Sequence, residues 1–523
     1  MDCICAEFFK FATPELSVML ARLLTDIGQG QCPLPDCWKS GKIVVLPKPA
    51  KDLRFPASYR PITIVSITYK LFTRILDERL KDVLSELCDS DQFGFSEGIG
   101  SDDILSITRA LLCVSERYGL PSWIASMDCI KAFDCVCHAE LWDALGELGV
   151  PSFYIELFRQ MYAGNFAVVQ ADSTSSQFAI ERGVRQGDPI SPLLFNLASF
   201  VVFRRLHAQW RDRKFGIMLS PSYTRIFTLR YADDILVFAK NAVELRAMLQ
   251  EIEAGFTSLG LKFDAGKCKV VVNMSNDDLD RSSEEFLVNG AAAEILPYGV
   301  CHCYLGTMIG FGPFAGAPGE FIFTMGDFRF HGMQWMRVEM SHRVKQAWAS
   351  WHKFRIALTD PRIHLRLRLR AFESLISSVI LYGCRTWSLT NDLKSQLDNV
   401  ERSMLAKIMH CPAHMRRLAP DTSFVDRARL KRKLTVRALK SRHNARQPSS
   451  THPQRGSICW VERVARAQWM WALRVAQKPE SSLVSLAVQC YPHTVHPLGR
   501  RTCSLHYFSS HNWTSHPARC SCM

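Results

Sequence analysis

The sequence predicts a mixed α+β fold, and three observations carry that expectation. Short apolar stretches of strand length, such as "SWIASMD" (122–128), return repeatedly between longer stretches whose apolar residues recur at helical spacing. Turn signals built on Gly, Pro and Asp separate them. From about residue 330 onward the chain becomes helical in pattern and basic in charge.

Taken in order, residues 1–37 read as a helical lead-in ending at the turn "CPLPDC". "WKSGKIVVLPKPAKDLRFPASYRPITIV" predicts two strands around a basic loop bounded by Pro47, Pro49 and Pro56. A helix follows, with Leu71, Phe72, Ile75, Leu76, Leu80, Val83 and Leu84 on its apolar face, and residues 101–118 repeat that pattern. "SWIASMD" is a strand with its acid at the end, and "HAELWDALGELG" a helix closing on Gly149. "FAVVQADSTSSQFAIERG" reads as a hairpin. "SPLLFNLASFVVFRRLHAQW" is a helix entered through Ser and Pro, suited to a cap and first turn. "TRIFTLRYADDILVFAK" reads as strand, tight turn, strand, and "AVELRAMLQEIEAGFTSLG" as a further helix. "HLRLRLRAFESLISSVILYG" alternates like a strand, but its length favours helix. Residues 441–457 are polar and turn-rich, a predicted linker, and a Trp-rich helix and an irregular Cys/His-bearing tail complete the chain.

With 523 residues, 47% of them hydrophobic, the chain can bury a large core. Its formal charge of +14 favours a polyanionic partner such as nucleic acid. The charge is concentrated: Arg416 to Arg446 holds eleven Lys/Arg against Asp421 and Asp426. Nineteen scattered cysteines do not form a secreted disulfide framework and read as reduced thiols. The N-terminus lacks the pattern of a secretory signal, and no stretch reaches membrane-spanning length. The expectation is a nuclear or cytoplasmic, non-membrane protein.

"RYADDILVF" raises the sharpest question, because Asp233 and Asp234 sit together inside an apolar run. Ionised acids are rarely buried without compensation. On these residues alone a solvated hairpin corner is the more economical reading, since Asp suits turns. A hard divalent cation is the alternative, and it needs a third carboxylate from another strand. Asp128 at the end of "SWIASMD" is the candidate, with Asp134 nearby in "MDCIKAFD".

The surrounding order decides between them. "LPKP…YRPITI" precedes the acids, "GVRQGDPISPLLFNL" lies between them, and "LGLKFDAGKCKVVV" and "CYLGTMIG" follow. Together these stretches, over roughly residues 38–310, resemble the reverse transcriptases of non-LTR (LINE-type) retrotransposons and, more distantly, those of group II introns. The resemblance implies a right-hand polymerase: fingers over 38–120, a palm with an antiparallel sheet over 121–310, and a helical thumb or connection over 311–440. The linker 441–457 and the region 458–523 follow.

The resemblance assigns roles residue by residue. Asp128, Asp233 and Asp234 fall on the catalytic acids that hold two Mg²⁺ ions, with Mn²⁺ as a possible substitute. Arg60 and Lys48 match finger residues facing a triphosphate. Phe133 matches the bulky residue under the incoming sugar, which favours dNTP over NTP. Gln186, Gly187 and Asp188 match the loop holding the incoming nucleotide and template base, and Lys267 a lysine facing pyrophosphate. Tyr304, Leu305 and Gly306 form the expected tip of a primer-gripping hairpin. Arg366, Arg370, Lys431, Arg432 and Lys433 are expected phosphate contacts. The implied partners are an RNA template, a DNA primer and dNTP, with the oligomeric state left open. Two rivals stand beside RNA-directed DNA synthesis: a silent nucleic-acid-binding remnant, and an RNA-directed RNA polymerase. No upstream nicking region is visible, so the sequence reads as a piece of such an element, and the tail's Cys/His spacing matches no zinc-knuckle pattern.

Overall fold

A computed structural model describes residues 4–48, 52–84, 91–117, 119–171, 174–218, 225–273, 285–312, 323–325, 328–330, 334–410, 459–478 and 482–484. The predicted linker, much of the tail, and Lys431, Arg432 and Lys433 lie outside the described residues. The chain divides into two compact units, Met1–Gly100 with Pro121–Leu296, and Ser101–Leu120 with Pro297–Met523.

The first unit is built on two sheets. In one, strand Ser40–Pro47 pairs antiparallel with Tyr59–Ile64 and parallel with Phe166–Ala171, which continues into Thr174–Ala179 as the predicted hairpin. The other has five strands, with Trp123–Asp128 at its centre. That strand pairs antiparallel with Asp234–Ala239 on one side and Lys269–Val272 on the other. Thr228–Tyr231 closes one edge and Glu294–Leu296 the other. Central position explains the composition of "WIASMD": every residue before the acid is buried. Such a strand is covered on both faces and needs no polar alternation.

Helix Ser191–Asp212 runs through this unit with twelve buried residues, among them Phe195, Phe203 and Trp210. Helix Ala242–Ser258, capped by the Asn241 side chain at 2.8 Å from the Glu244 N–H, packs beside it. The lead-in joins the same core: helix Pro14–Gly28, capped by Thr13, buries Leu24 and Ile27 with Trp38 and Phe72. One expectation is corrected here. Ser191 does not cap the long helix; it lies in the first turn, Ile190 occupies the cap position, and no side chain bonds there. A tight turn in the preceding loop, with the Ser191 N–H on the Asp188 carbonyl at 3.3 Å, does the capping work instead.

The second unit is helical apart from short hairpins. Helices Gln334–Thr359, Leu365–Phe372, Asn391–Ile408 and Trp460–Ala476 share a core of Met336, Trp351, Phe372, Leu397 and Trp460. The alternating "LRLRLRAF" is indeed helical and runs on through a π turn, Glu373–Ser377. One of its arginines, Arg368, is buried and donates to the carbonyls of Ile363 and Ile408. Helix Ser101–Arg117 belongs to this unit, its buried Asp103 accepting from Trp471 at 2.9 Å and Arg474 at 2.8 Å. Among the described residues the cysteines are free thiols, and no helix is long and apolar enough to cross a membrane.

Candidate active site

Strand register brings the acids together. Asp128 stands directly opposite Asp234, on adjacent antiparallel strands. Tyr231 pairs with Asp234, so the loop of the acidic hairpin is only Ala232 and Asp233. Carboxylates separated by more than a hundred residues of sequence thus share one end of the sheet. The turn carries strain: Ala232 has φ 58°, in the left-handed region that glycine normally fills.

The electrostatics match three like charges in a half-buried site. Burial, then the repulsion of Asp233 and Asp128, pushes the Asp234 carboxyl up to about 7. Asp233 is raised by burial and by Asp128 as well. Lys267 opposes this. Its ammonium contacts the Asp128 carboxylate and lies 3.5 Å from Asp264. Burial works against the Lys267 charge, but those two carboxylates outweigh it and raise its pKa.

The donor set fits a hard cation in its chemistry: all oxygen, uniformly acidic and short of positive charge. The side-chain positions qualify that fit. Among the described residues no three of His, Cys, Asp and Glu stand close enough together to hold a metal ion as they are. Two of the three expected acids, Asp128 and Asp234, are therefore in strand register with Asp233 on the adjoining turn, the three do not form a closed set, and Lys267 contacts the Asp128 carboxylate.

The other expected residues gather around the loop before the long helix. Gly183 lies against the backbone of Phe133 and Asp134, where a Cβ would come within 2.6 Å of the Phe133 carbonyl oxygen. The Gln186 carbonyl accepts from the Thr63 N–H at 2.9 Å, and the Arg185 guanidinium donates to the Trp38 carbonyl at 3.0 Å. Gly187 is exposed at φ 115°, and a Cβ there would meet the Thr63 carbonyl at 3.0 Å. This loop therefore links the strand carrying Arg60 to the turn after Asp128. Arg60 is exposed, opposite Leu46 in the pairing of its strand. Lys48 follows the end of the neighbouring strand, its backbone N–H on the Ser58 carbonyl at 2.8 Å. Phe133 is half-buried, stacked on Phe195 at 5.1 Å and edge-on to Phe95 at 6.2 Å.

In the second unit, His302–Tyr304 and Thr307–Ile309 form the expected hairpin. Its tip is Leu305-Gly306, both with positive φ, the pattern of a type I′ turn. Tyr304 is buried and so is not part of the exposed tip. The tip is held by Arg343 on the Gly306 carbonyl and by the Tyr382 hydroxyl on the Leu305 carbonyl at 3.0 Å. Arg366 and Arg370, four residues apart on one helix, are both exposed.

Sequence reasoning passed over three residues. Gln92 and Gly94, in "DQFGF", touch the acidic turn, and Asp264 supports Lys267. A glycine between two aromatics was the only local signal for the first pair, and nothing local announces a contact 140 residues away.

Residues 46–306 match the family model described as reverse transcriptase (RNA-dependent DNA polymerase). A retrovirus-related Pol polyprotein from a type-2 retrotransposable element of Drosophila melanogaster is 31% identical over 239 residues, 46% of this chain and 22% of that protein. A Pol polyprotein from the type-1 retrotransposable element R2 of Nasonia vitripennis is 32% identical over 240 residues, again 46% and 22%. This chain thus spans about a fifth of the length of these relatives. A solved telomerase from Candida tropicalis is similar at 12% identity and TM-score 0.38, over 80% of this chain and 74% of that one. By the match over residues 46–306 the chain belongs to the reverse transcriptase family, and the relatives it resembles are Pol polyproteins of retrotransposable elements.

Proposed function

We propose that the chain is the RNA-directed DNA polymerase portion of a non-LTR retrotransposon protein, extending a DNA primer on an RNA template with dNTP. The observation that carries this reading is the register of Asp128 against Asp234, with Asp233 on the two-residue turn beside them. Asp128, Asp233 and Asp234 would hold two Mg²⁺ ions, with Mn²⁺ as a substitute. When bound, those ions supply charge stabilisation at the attacking and leaving oxygens of phosphoryl transfer.

The chain's own residues position the reactants and move charge. Lys267 on Asp128 supplies positive charge before substrate binds, and its ammonium can serve the departing pyrophosphate as donor. The exposed Arg60 and the half-buried Lys48 bind triphosphate oxygens by charge-assisted hydrogen bonds. Gly187, whose missing Cβ lets the loop close on the Thr63 carbonyl, presents its exposed backbone to a nucleotide, and Gln186 contributes its side-chain amide to the nascent pair. Phe133, braced by Phe195, fills the space a 2′-hydroxyl would need. The tip Leu305-Gly306, seated on the buried Tyr304, holds the primer strand, and Arg366 and Arg370 contact phosphates. Fingers over 38–120, palm over 121–310 and thumb over 311–440 are the corresponding division, and a nuclear or cytoplasmic site of action follows from the substrates.

Primer extension on poly(rA)/oligo(dT) with Mg²⁺ tests the reading. It predicts dTTP incorporation by the wild-type chain, a strong preference over UTP, and loss in Asp233→Ala. A folded wild-type chain that incorporates nothing would support a silent remnant, and UTP preference an RNA polymerase.

A further inference from the structure

We propose that Gln92 is a positioning residue for the acidic hairpin, holding Ala232 in its left-handed conformation so that Asp233 is presented to the reactants. The inference rests on the polymerase reading for its functional half and on geometry alone for its structural half.

The strain comes first. In a two-residue hairpin whose first loop residue has positive φ, glycine is the natural occupant. This chain has Ala232, whose Cβ makes that conformation unfavourable. Surrounding structure must over-determine it. The buried side chain of Gln92 does so at one point. Its Oε1 accepts from the Ala232 N–H at 3.0 Å and from the Gly94 N–H at 2.9 Å, and its Nε2 faces the Ala232 carbonyl at 3.5 Å. A primary amide of this length offers an acceptor to two N–H groups and a donor to a carbonyl at once.

Gln92 is itself fixed. The Arg230 N–H bonds the Asp91 carbonyl and the Phe93 N–H bonds the Arg230 carbonyl, each at 2.8 Å, so residues 91–93 run alongside the hairpin's outer strand. Asp91 pairs with the buried Arg230 guanidinium at 2.6 Å. Gly94 lies flat on the turn. A Cβ there would overlap the Ala232 nitrogen and approach the Tyr231 carbonyl carbon to 2.9 Å. Asn196, from the long helix, donates to the Gly94 carbonyl at 2.9 Å. A continuous chain of contacts therefore runs from that helix through Gly94 and Gln92 to Ala232, one residue before Asp233.

The test is a set of three variants, Gln92→Ala, Ala232→Gly and the double variant, with two readouts. In urea unfolding, Gln92→Ala should lower the midpoint more in the wild-type background than in the Ala232→Gly background, because glycine no longer needs holding. Equal shifts in both backgrounds overturn the clamp, whatever the chain does catalytically. In primer extension, Gln92→Ala should lower kcat by about tenfold to a hundredfold, with KM for dTTP changed less than about threefold. Adding Ala232→Gly should return part of that kcat. Wild-type incorporation with an unaltered kcat in Gln92→Ala, or a change confined to KM, overturns the positioning role and leaves the polymerase reading standing. No incorporation by the wild-type chain overturns that reading and the positioning role together, while the unfolding result still decides the clamp.

Discussion

His207 lies behind the same hairpin, and acid should act on the fold through it. One ring nitrogen is 2.9 Å from the Thr228 hydroxyl, and the ring packs among Phe203, Trp210 and Phe227. Burial pushes its pKa down to about 4; Asp91 at 3.8 Å opposes this, while Arg230 and Arg211 reinforce it. The imidazole is therefore neutral in the folded chain across the physiological range. In the unfolded chain it takes a proton from about pH 6.5 downward. The folded pKa lies below the unfolded one, so the unfolded state binds more protons between those values and stability falls as pH drops through the window. The gap between about 6.5 and about 4 corresponds to about 3.4 kcal/mol as an upper bound. The perturbation is His207→Gln, which removes the titrating ring. Urea unfolding at about pH 7.5, 5.5 and 4.5 should show wild type losing about 2–3 kcal/mol more than the variant over that range. Parallel pH dependences for the two proteins would refute the buried neutral histidine.

Three further outcomes follow from particular contacts. Phe133→Val should raise the UTP-to-dTTP ratio of kcat/KM by about tenfold or more in primer extension; a fall in melting temperature with an unchanged ratio would make Phe133 a core residue only. Gly187→Ala places a Cβ 3.0 Å from the Thr63 carbonyl at a backbone angle alanine resists. It should cost about 1–3 kcal/mol of stability and raise KM for dTTP, both measurable on one preparation. Trp460→Ala removes a ring stacked on Phe372 at 5.6 Å whose N–H bonds Ser377 at 2.9 Å. Denaturant unfolding of the second unit should register a loss of about 3–5 kcal/mol.

What could be read from the chain in advance was what lies within a few residues of itself. The helices over 67–84, 191–212 and 242–258 announce themselves by apolar spacing, and the acidic hairpin by a short acidic turn between two apolar runs. The pairing of Asp128 with Asp234 was reachable only through the order of motifs, because register between strands a hundred residues apart leaves no local periodicity. The left-handed Ala232 was hidden for a related reason: its stabilising partner, Gln92, is a polar residue in an unremarkable loop. Ser191 misled because a serine before a proline and an apolar run satisfies every local rule for a cap, while the loop's own backbone took that role. Tyr304, expected at the hairpin tip, pairs with Thr307 one residue before the turn and is buried there, a placement that no local pattern announces.

The acids and the cations they are expected to share remain the centre of the account. Mn²⁺ binding, followed by electron paramagnetic resonance on the chain with an RNA template, a dideoxy-terminated primer and dTTP, addresses that centre most directly. About two ions should bind per chain, falling to one or none in Asp128→Asn and Asp233→Asn. Unchanged stoichiometry and affinity in both variants would contradict it.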